Sequence, residues 1–460
     1  MNPSRTPPAD NASIHGMWSS RLVFILAATG SAVGLGNIWR FPYMASDNGG
    51  GAFVLVYLAC IAILGLPILI AEVLVGRQGR RSPVHSVVTI SEASRASAAW
   101  GLMPVMGILA ALMILSFYSV VAGWTLHYTW LYVQQLLGST RLEDPAGSFG
   151  ALLGNPLQLG MWHAVFMVLT VVVVALGVEK GLERAVRWLM PALFAMLLLL
   201  VGYGLTTGHA ADAARFLFQP DFGKIDGATV LAATGQAFFT LSLGSCSMMA
   251  YGAYLPRDNI SLPRTAGTIA LTDTAVALLA GMAIFPIVIA YGISPEGGGP
   301  GLIFTSLPHA FNDMPLGSLY GLLFFALLSV AAWTSSISML EPGTAWLSER
   351  LGVGSRKKVA LGLALFCWLL GLLAALSLNR LAHVKFGERD IMGLLEFVAS
   401  DLMLPLGGML IALFTGWAMD RSLLRGQLPE MPEWAFTALR WLLRVVAPLL
   451  VLAVLLRAAL

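Results

Sequence analysis

The sequence predicts an all-α integral membrane protein that crosses the bilayer many times, and three observations carry that reading. Of 460 residues, 57% are hydrophobic and only 11% charged, with a mean hydropathy of +0.79. Apolar runs of about 20 residues recur from end to end, each long enough to span the hydrocarbon core. One of these runs is broken by Gly30-Ser31-Ala32-Val33-Gly34-Leu35-Gly36-Asn37-Ile38-Trp39-Arg40-Phe41-Pro42, which brings glycines, an amide and a guanidinium into a membrane-length segment. Lipid offers no partner to an unpaired N–H or C=O, so backbone that cannot hold a helix there must line a protein-enclosed cavity.

Taken in order, the runs predict eleven spans. The first, roughly 21–44, follows a polar stretch and carries the break; the second, roughly 51–76, opens on a glycine run and ends before Arg77. The next three, roughly 98–134, 160–178 and 186–207, are plain apolar segments. A sixth, roughly 228–254, is interrupted by Phe238-Phe239-Thr240-Leu241-Ser242-Leu243-Gly244-Ser245-Cys246-Ser247, where small and hydroxyl-bearing residues replace apolar ones. The remaining five lie at roughly 262–294, 317–350, 356–378, 391–420 and 435–459. Several exceed the length needed, so they tilt.

Charge sets the orientation. The loops with Arg77, Arg80, Arg81 and Arg95, with Lys180, Arg184 and Arg187, and with Arg350, Arg356, Lys357 and Lys358 fall on one side by alternation. The positive-inside rule makes that side, and the N-terminus, cytoplasmic. The net charge of +3 is too small to argue for nucleic acid. Cys60, Cys246 and Cys367 all sit in apolar segments, which implies neither a disulfide framework nor a metal cluster. No cleavable signal peptide is expected, because the opening residues are polar.

Two interrupted helices, five spans apart, point to a transporter built from inverted repeats with its site near the midplane. For one glycine-rich span alone, close helix packing is the simpler account. The pair, with Asn37 and Arg40 in one of them, favours a binding site.

These residues resemble the neurotransmitter:sodium symporter family, the LeuT fold, over nearly the whole chain. The resemblance rests on Trp18-Ser19-Ser20-Arg21, Gly34 to Pro42, Asn48-Gly49-Gly50-Gly51-Ala52-Phe53, Gly65-Leu66-Pro67 through Glu72 to Arg77, Gln236 to Gly244, and Thr334-Ser335-Ser336. It implies a 5+5 inverted repeat with unwound first and sixth helices plus one extra helix. The boundaries expected are an N-terminal segment 1–20, repeats 21–227 and 228–420, and an eleventh helix in 421–460. Eleven spans without a twelfth look like a bacterial member, in the inner membrane.

The family's functional residues carry over as expectations. One sodium site would use Ala32, Asn37, Thr240, Asp273 and the substrate's own carboxylate; a second would use Gly30, Val33, Ala331, Thr334 and Ser335. Sodium is a hard cation that takes several oxygen ligands, and helix breaks supply carbonyls. Hydroxyls bonding back into their own helix are the plainer account of Thr334-Ser335-Ser336 alone. Asp273 stands where many members carry Asn, although a shift of one residue puts Thr272 there. Tyr57 and Gln236 match the family's chloride-site pattern, while Ala277 replaces its serine. A charged Asp273 would stand in for chloride, which is then not required; a protonated, merely structural Asp273 is the alternative.

The substrate pocket by resemblance is Ser31, Gly34, Leu35, Gly36, Ile114, Tyr118, Phe239, Thr240, Ser242, Ser245 and Met339. Monoamine-transporting relatives have an aspartate at the position of Gly34, so the ligand here should bring its own carboxylate, held by N–H groups near Leu35 and Gly36. Cys246 replaces a common glycine and should narrow one wall. Arg40 and Glu396 form the expected outer gate, with Asp401 as a rival partner and Phe239 and Tyr118 as a lid. Trp18, Arg21 and Glu349 mark the inner gate, where the family's usual arginine appears as His15; a solvated loop anchor is the plainer account of Glu349.

The expectation is a sodium-coupled importer of a neutral or hydrophobic amino acid, working as a monomer or homodimer in the lipid bilayer without a nucleic-acid partner. A non-transporting sodium-dependent sensor, or a transporter of another amine-like solute, are the alternatives. A channel would show a continuous polar stripe. An enzyme would need a nucleophile–base pair or metal-spaced histidines, and none of the seven histidines forms such a pair.

Overall fold

A computed structural model describes residues 15–138, 142–256, 260–292, 299–352, 354 and 356–459. The first bundle helix, α1 (Arg21–Ala32), is followed at once by α2 (Gly36–Asp47), α3 (Gly51–Gly79), α4 (Ala98–Leu136), α5 (Pro156–Ala175) and α6 (Val178–Leu205). The chain continues through α7 (Gly227–Thr240) and α8 (Ser247–Ala253). The rest is α9 (Leu262–Ala290), α10 (Gly317–Leu351), α11 (Arg356–Ser377), α12 (Ile391–Ala418) and α13 (Glu433–Leu456). Short helices such as Pro83–Ala93, Pro145–Gly154 and Ala210–Phe218 occupy segments expected as loops. Among the described residues, extended pairing is limited to two isolated bridges, Gly50 with Pro220 and Phe386 with Arg389.

Nine of these helices are long and apolar enough to cross a membrane alone, and α1 with α2 makes a tenth span bent by 53°. The segment expected as a single span over 228–254 is two helices, α7 and α8, parted by residues 241–246. Their separation has a local cause: Ser242, Gly244 and Cys246 have φ of 54°, 80° and 62°, in the left-handed region that cannot propagate a right-handed helix.

Part of the broken backbone is capped by side chains, most of them from distant helices. Leu35 N–H donates to Tyr118 Oη at 3.3 Å and Gly34 N–H to Asn37 Oδ1 at 3.1 Å. Gln236 Nε2 donates to the Gly36 carbonyl at 2.8 Å, and Gly244 N–H donates to Glu72 Oε1 at 2.7 Å. The two breaks are also joined directly, since Ser242 Oγ donates to the Ser31 carbonyl at 3.0 Å. Close approach of α3 to α8 depends on small residues: a Cβ at Gly76 would lie 1.9 Å from the Met249 carbonyl oxygen.

The basic loops meet at one end of the bundle. Ser19 N–H donates to Glu183 Oε2 at 3.0 Å, Arg187 to Ser19 Oγ at 2.7 Å, and Ser82 N–H to Glu349 Oε1 at 2.7 Å.

Candidate functional site

The breaks meet α4 and α10 around a small cavity of about 20 Å³, room for about one water. Ser31, Gly34, Gly36, Ile114, Tyr118, Phe239, Ser242, Ser245 and Met339, all expected from the sequence, line it. Ala32, Ala111, Ser335 and Leu404 line it too. Ala111 was legible in principle: with Ile114 and Tyr118 it follows the i, i+3, i+7 spacing of one helix face. Leu404 comes from α12 with no local signal. Leu35 faces instead into a vestibule of about 460 Å³ that also holds Arg40, Trp124 and Glu396. Phe239 and Tyr118 line both spaces and form the partition between them.

Cys246 does not narrow this cavity. Its Sγ is directed at the Pro104 carbonyl, 3.9 Å away, and a Cβ at Gly107 would lie 2.7 Å from it. The left-handed backbone turns its side chain into the α4 interface, whereas Ser245 and Ser242 remain on the cavity wall.

Beside the cavity, Asn37 and Thr240 converge on one carboxylate. Asn37 Nδ2 donates to Asp273 Oδ1 at 2.7 Å and to the Asp273 carbonyl at 3.1 Å, and Thr240 Oγ1 donates to Oδ2 at 2.9 Å. All three residues are fully buried. Thr272 points elsewhere and donates to its own helix at Thr268 O, 2.8 Å away. One residue of shift turns a side chain by about 100° around a helix, so only one of the two can face Asn37.

A second group of oxygens lies where α1 ends against α10. Ser335 Oγ is 3.1 Å from the Val33 carbonyl and 3.4 Å from that of Gly30, and Thr334 Oγ1 donates to the Ala331 carbonyl at 3.0 Å. Thr334 therefore bonds back within its helix, while Ser335 reaches across to α1. Carbonyl and hydroxyl oxygens of this kind suit a hard monovalent cation, with no soft ligand among them.

The two ends of the bundle differ. On the vestibule side, the Arg40 guanidinium sits over the Phe239 ring at 4.6 Å. Among the described residues it makes no ion pair within 4.0 Å, to Glu396, Asp401 or another carboxylate. The opposite end is sealed. His15 Nε2 meets Glu349 Oε1 at 2.9 Å, Ser82 Oγ donates to Glu349 Oε2 at 2.6 Å, and His85 approaches the same oxygen. The Glu349 side chain is only 4% exposed, which rules out a solvated anchor. Trp18 closes the same end, its Nε1 donating to the Tyr251 carbonyl at 3.0 Å. Arg21 is not part of this cluster: its Nε donates to Thr265 Oγ1 at 3.1 Å. The contacts of Glu72, His85 and Ser82 were also not legible in the sequence, since their partners lie 172 to 267 residues away.

One end closed by paired groups, an open vestibule toward the other and a buried pocket at two helix breaks define a secondary transporter. The profile of the sodium:neurotransmitter symporter family matches residues 15–143 and 154–460. An uncharacterised sodium-dependent transporter of Bacillus subtilis, YhdH, is 38% identical over 95% of this chain and 96% of its own length. The bovine sodium-dependent dopamine transporter is 27% identical over 74% of this chain and 54% of its length. The crystal structure of MhsT in complex with L-phenylalanine is 42% identical, with a TM-score of 0.88 over 96% of this chain and 99% of that one. The chain belongs to the sodium:neurotransmitter symporter family. It is a multi-pass, LeuT-fold, sodium-dependent symporter and not an enzyme.

Proposed function

We propose that the protein imports a neutral amino acid with an apolar side chain together with two sodium ions. The observation that carries this is the lining of the small cavity, which contains no charged side chain. A free amine would find no anion there, whereas a zwitterion brings both charges. Its carboxylate would meet the N–H groups at Leu35 and Gly36, the Tyr118 hydroxyl and a sodium ion held by Ala32, Asn37, Thr240 and Asp273. Its ammonium would meet carbonyls near Phe239 and Ser242, and its side chain would lie among Ile114, Ala111, Met339 and Leu404. Phenylalanine in the MhsT complex supports this chemistry.

The second sodium would sit among Gly30, Val33, Ala331, Thr334 and Ser335. Because the first ion and the carboxylate complete one another's coordination, their binding is reciprocal. Each sodium entering down about 100 mV and a tenfold gradient releases roughly 3.7 kcal/mol. Two ions thus sustain accumulation of a zwitterion on the order of 10⁵-fold. The Asp273 carboxylate takes the place of chloride. The basic, sealed end is cytoplasmic, with the chain in a bacterial inner membrane. Residues 21–227 and 228–420 form the two repeats, and 421–460 the added helix.

The test is a panel of amino acids bound to purified protein with and without sodium, followed by counterflow in liposomes. Sodium-dependent binding of apolar amino acids with counterflow supports the reading. Binding without flux makes the protein a sensor.

A further inference from the structure

The cleft between the end of α12 and the start of α13 carries more positive charge than the protein neutralises. It encloses about 220 Å³ and is lined by Trp417, Arg421, Phe436, Arg440, Trp441 and Arg444 among others. Glu433 pairs with Arg421 and, at 3.7 Å, with Arg425. Among the described residues, Arg444 is held by backbone and ring contacts alone. Its Nε donates to the Gly416 carbonyl at 2.5 Å, and its guanidinium lies 4.6 Å over the Trp417 ring. Arg440, one turn earlier on the same helix, has no hydrogen bond or ion pair among the described residues, and its Nε is buried without a partner. Like charges four residues apart on a helix repel, and no carboxylate among the described residues pairs with either arginine.

The surroundings say what that anion is attached to. Trp417 and Trp441 are 61% and 62% exposed on the outer faces of two membrane spans, where indoles mark the headgroup level. The loop joining these spans lies at the sealed, basic end: Asp420 N–H donates to Ser94 Oγ at 3.0 Å and Gln427 Nε2 to Gln78 Oε1 at 2.5 Å. A guanidinium binds phosphate oxygens through a fork of donors. We propose that this cleft binds the phosphate of an anionic glycerophospholipid headgroup, held by Arg440 and Arg444 between the two tryptophans. The inference is independent of the substrate reading above.

Two uncompensated arginines at a membrane surface give a preference of roughly thirtyfold for an anionic over a zwitterionic lipid, and one gives roughly fivefold. The test uses the purified full-length protein, delipidated and incubated with equimolar phosphatidylglycerol and phosphatidylcholine, with retained lipid counted by native mass spectrometry. The wild type should retain phosphatidylglycerol with that preference. Arg440→Gln should lower it about fivefold, and Lys357→Gln, an exposed basic residue outside the cleft, should leave it within twofold. The wild-type comparison stands on its own if Arg440→Gln does not fold. Equal retention of both lipids, an unchanged preference in Arg440→Gln, or an equal loss in Lys357→Gln overturns the proposal. Displacement of the lipid by millimolar inorganic phosphate also overturns it, since the ligand is then a soluble anion.

Discussion

Replacing Gly34 tests the substrate site where its geometry is tightest. A Cβ built at Gly34 lies 2.5 Å from Ser335 Oγ and 2.9 Å from Tyr118 Oη, inside contact distance of both. Neither neighbour can move freely. Ser335 Oγ is engaged with the Val33 and Gly30 carbonyls, and Tyr118 Oη accepts from Leu35 N–H. Gly34→Ala must therefore push Ser335 out of the proposed second sodium site or Tyr118 away from the proposed carboxylate site. Overpacking of this kind costs about 1–3 kcal/mol, a loss of roughly 5- to 150-fold in affinity. Gly34→Asp adds an anion beside the ligand carboxylate; two like charges about 4 Å apart repel by about 4 kcal/mol at an effective dielectric of 20, which removes measurable binding. The assay is sodium-dependent binding of labelled phenylalanine to purified protein, with phenethylamine and isoamylamine as competitors. Wild-type affinity in Gly34→Ala, or equal competition by the amine and its parent amino acid, would refute the argument.

Replacing sodium by potassium or choline should abolish specific binding, and Asn37→Ala should lower it at least tenfold; equal affinity in sodium-free buffer removes the shared-ion argument. Uptake should persist when chloride is exchanged for gluconate. Asp273→Asn should be inactive or become chloride-responsive, most clearly in combination with Ala277→Ser, and wild-type uptake falling to background in gluconate would show that Asp273 does not replace the anion. Glu349→Gln removes the charge that His15, His85 and Ser82 surround. Breaking a buried pair costs about 3–5 kcal/mol, so amide exchange over residues 15–24 should rise tenfold or more. Unchanged exchange there would mean that Trp18 and its contacts hold that end closed without the carboxylate.

The sequence by itself determined the class of molecule and where its chain is interrupted. A bilayer forces the backbone to close its hydrogen bonds within each span, so apolar length reports the spans and glycine-rich or hydroxyl-rich interruptions report the breaks. The residues at those breaks, Gly30 to Arg40 and Phe239 to Ser245, were legible for the same reason. What required the tertiary structure was every choice that depends on rotation or on distance along the chain. Asp273 rather than Thr272 meets Asn37 because only one of two neighbours on α9 can face α2. Cys246 turns toward Gly107 because its left-handed backbone redirects the side chain, which no residue count reveals. Arg21 goes to Thr265 while Glu349 draws in His15 and His85, and Arg40 lies over Phe239 without closing on a carboxylate. The arginines of the α12–α13 cleft form one cluster only because helix packing brings Arg421 alongside Arg440 and Arg444. Local pattern sets which segments are helical, but side-chain partnership is a property of the packed bundle, where groups more than a hundred residues apart become neighbours.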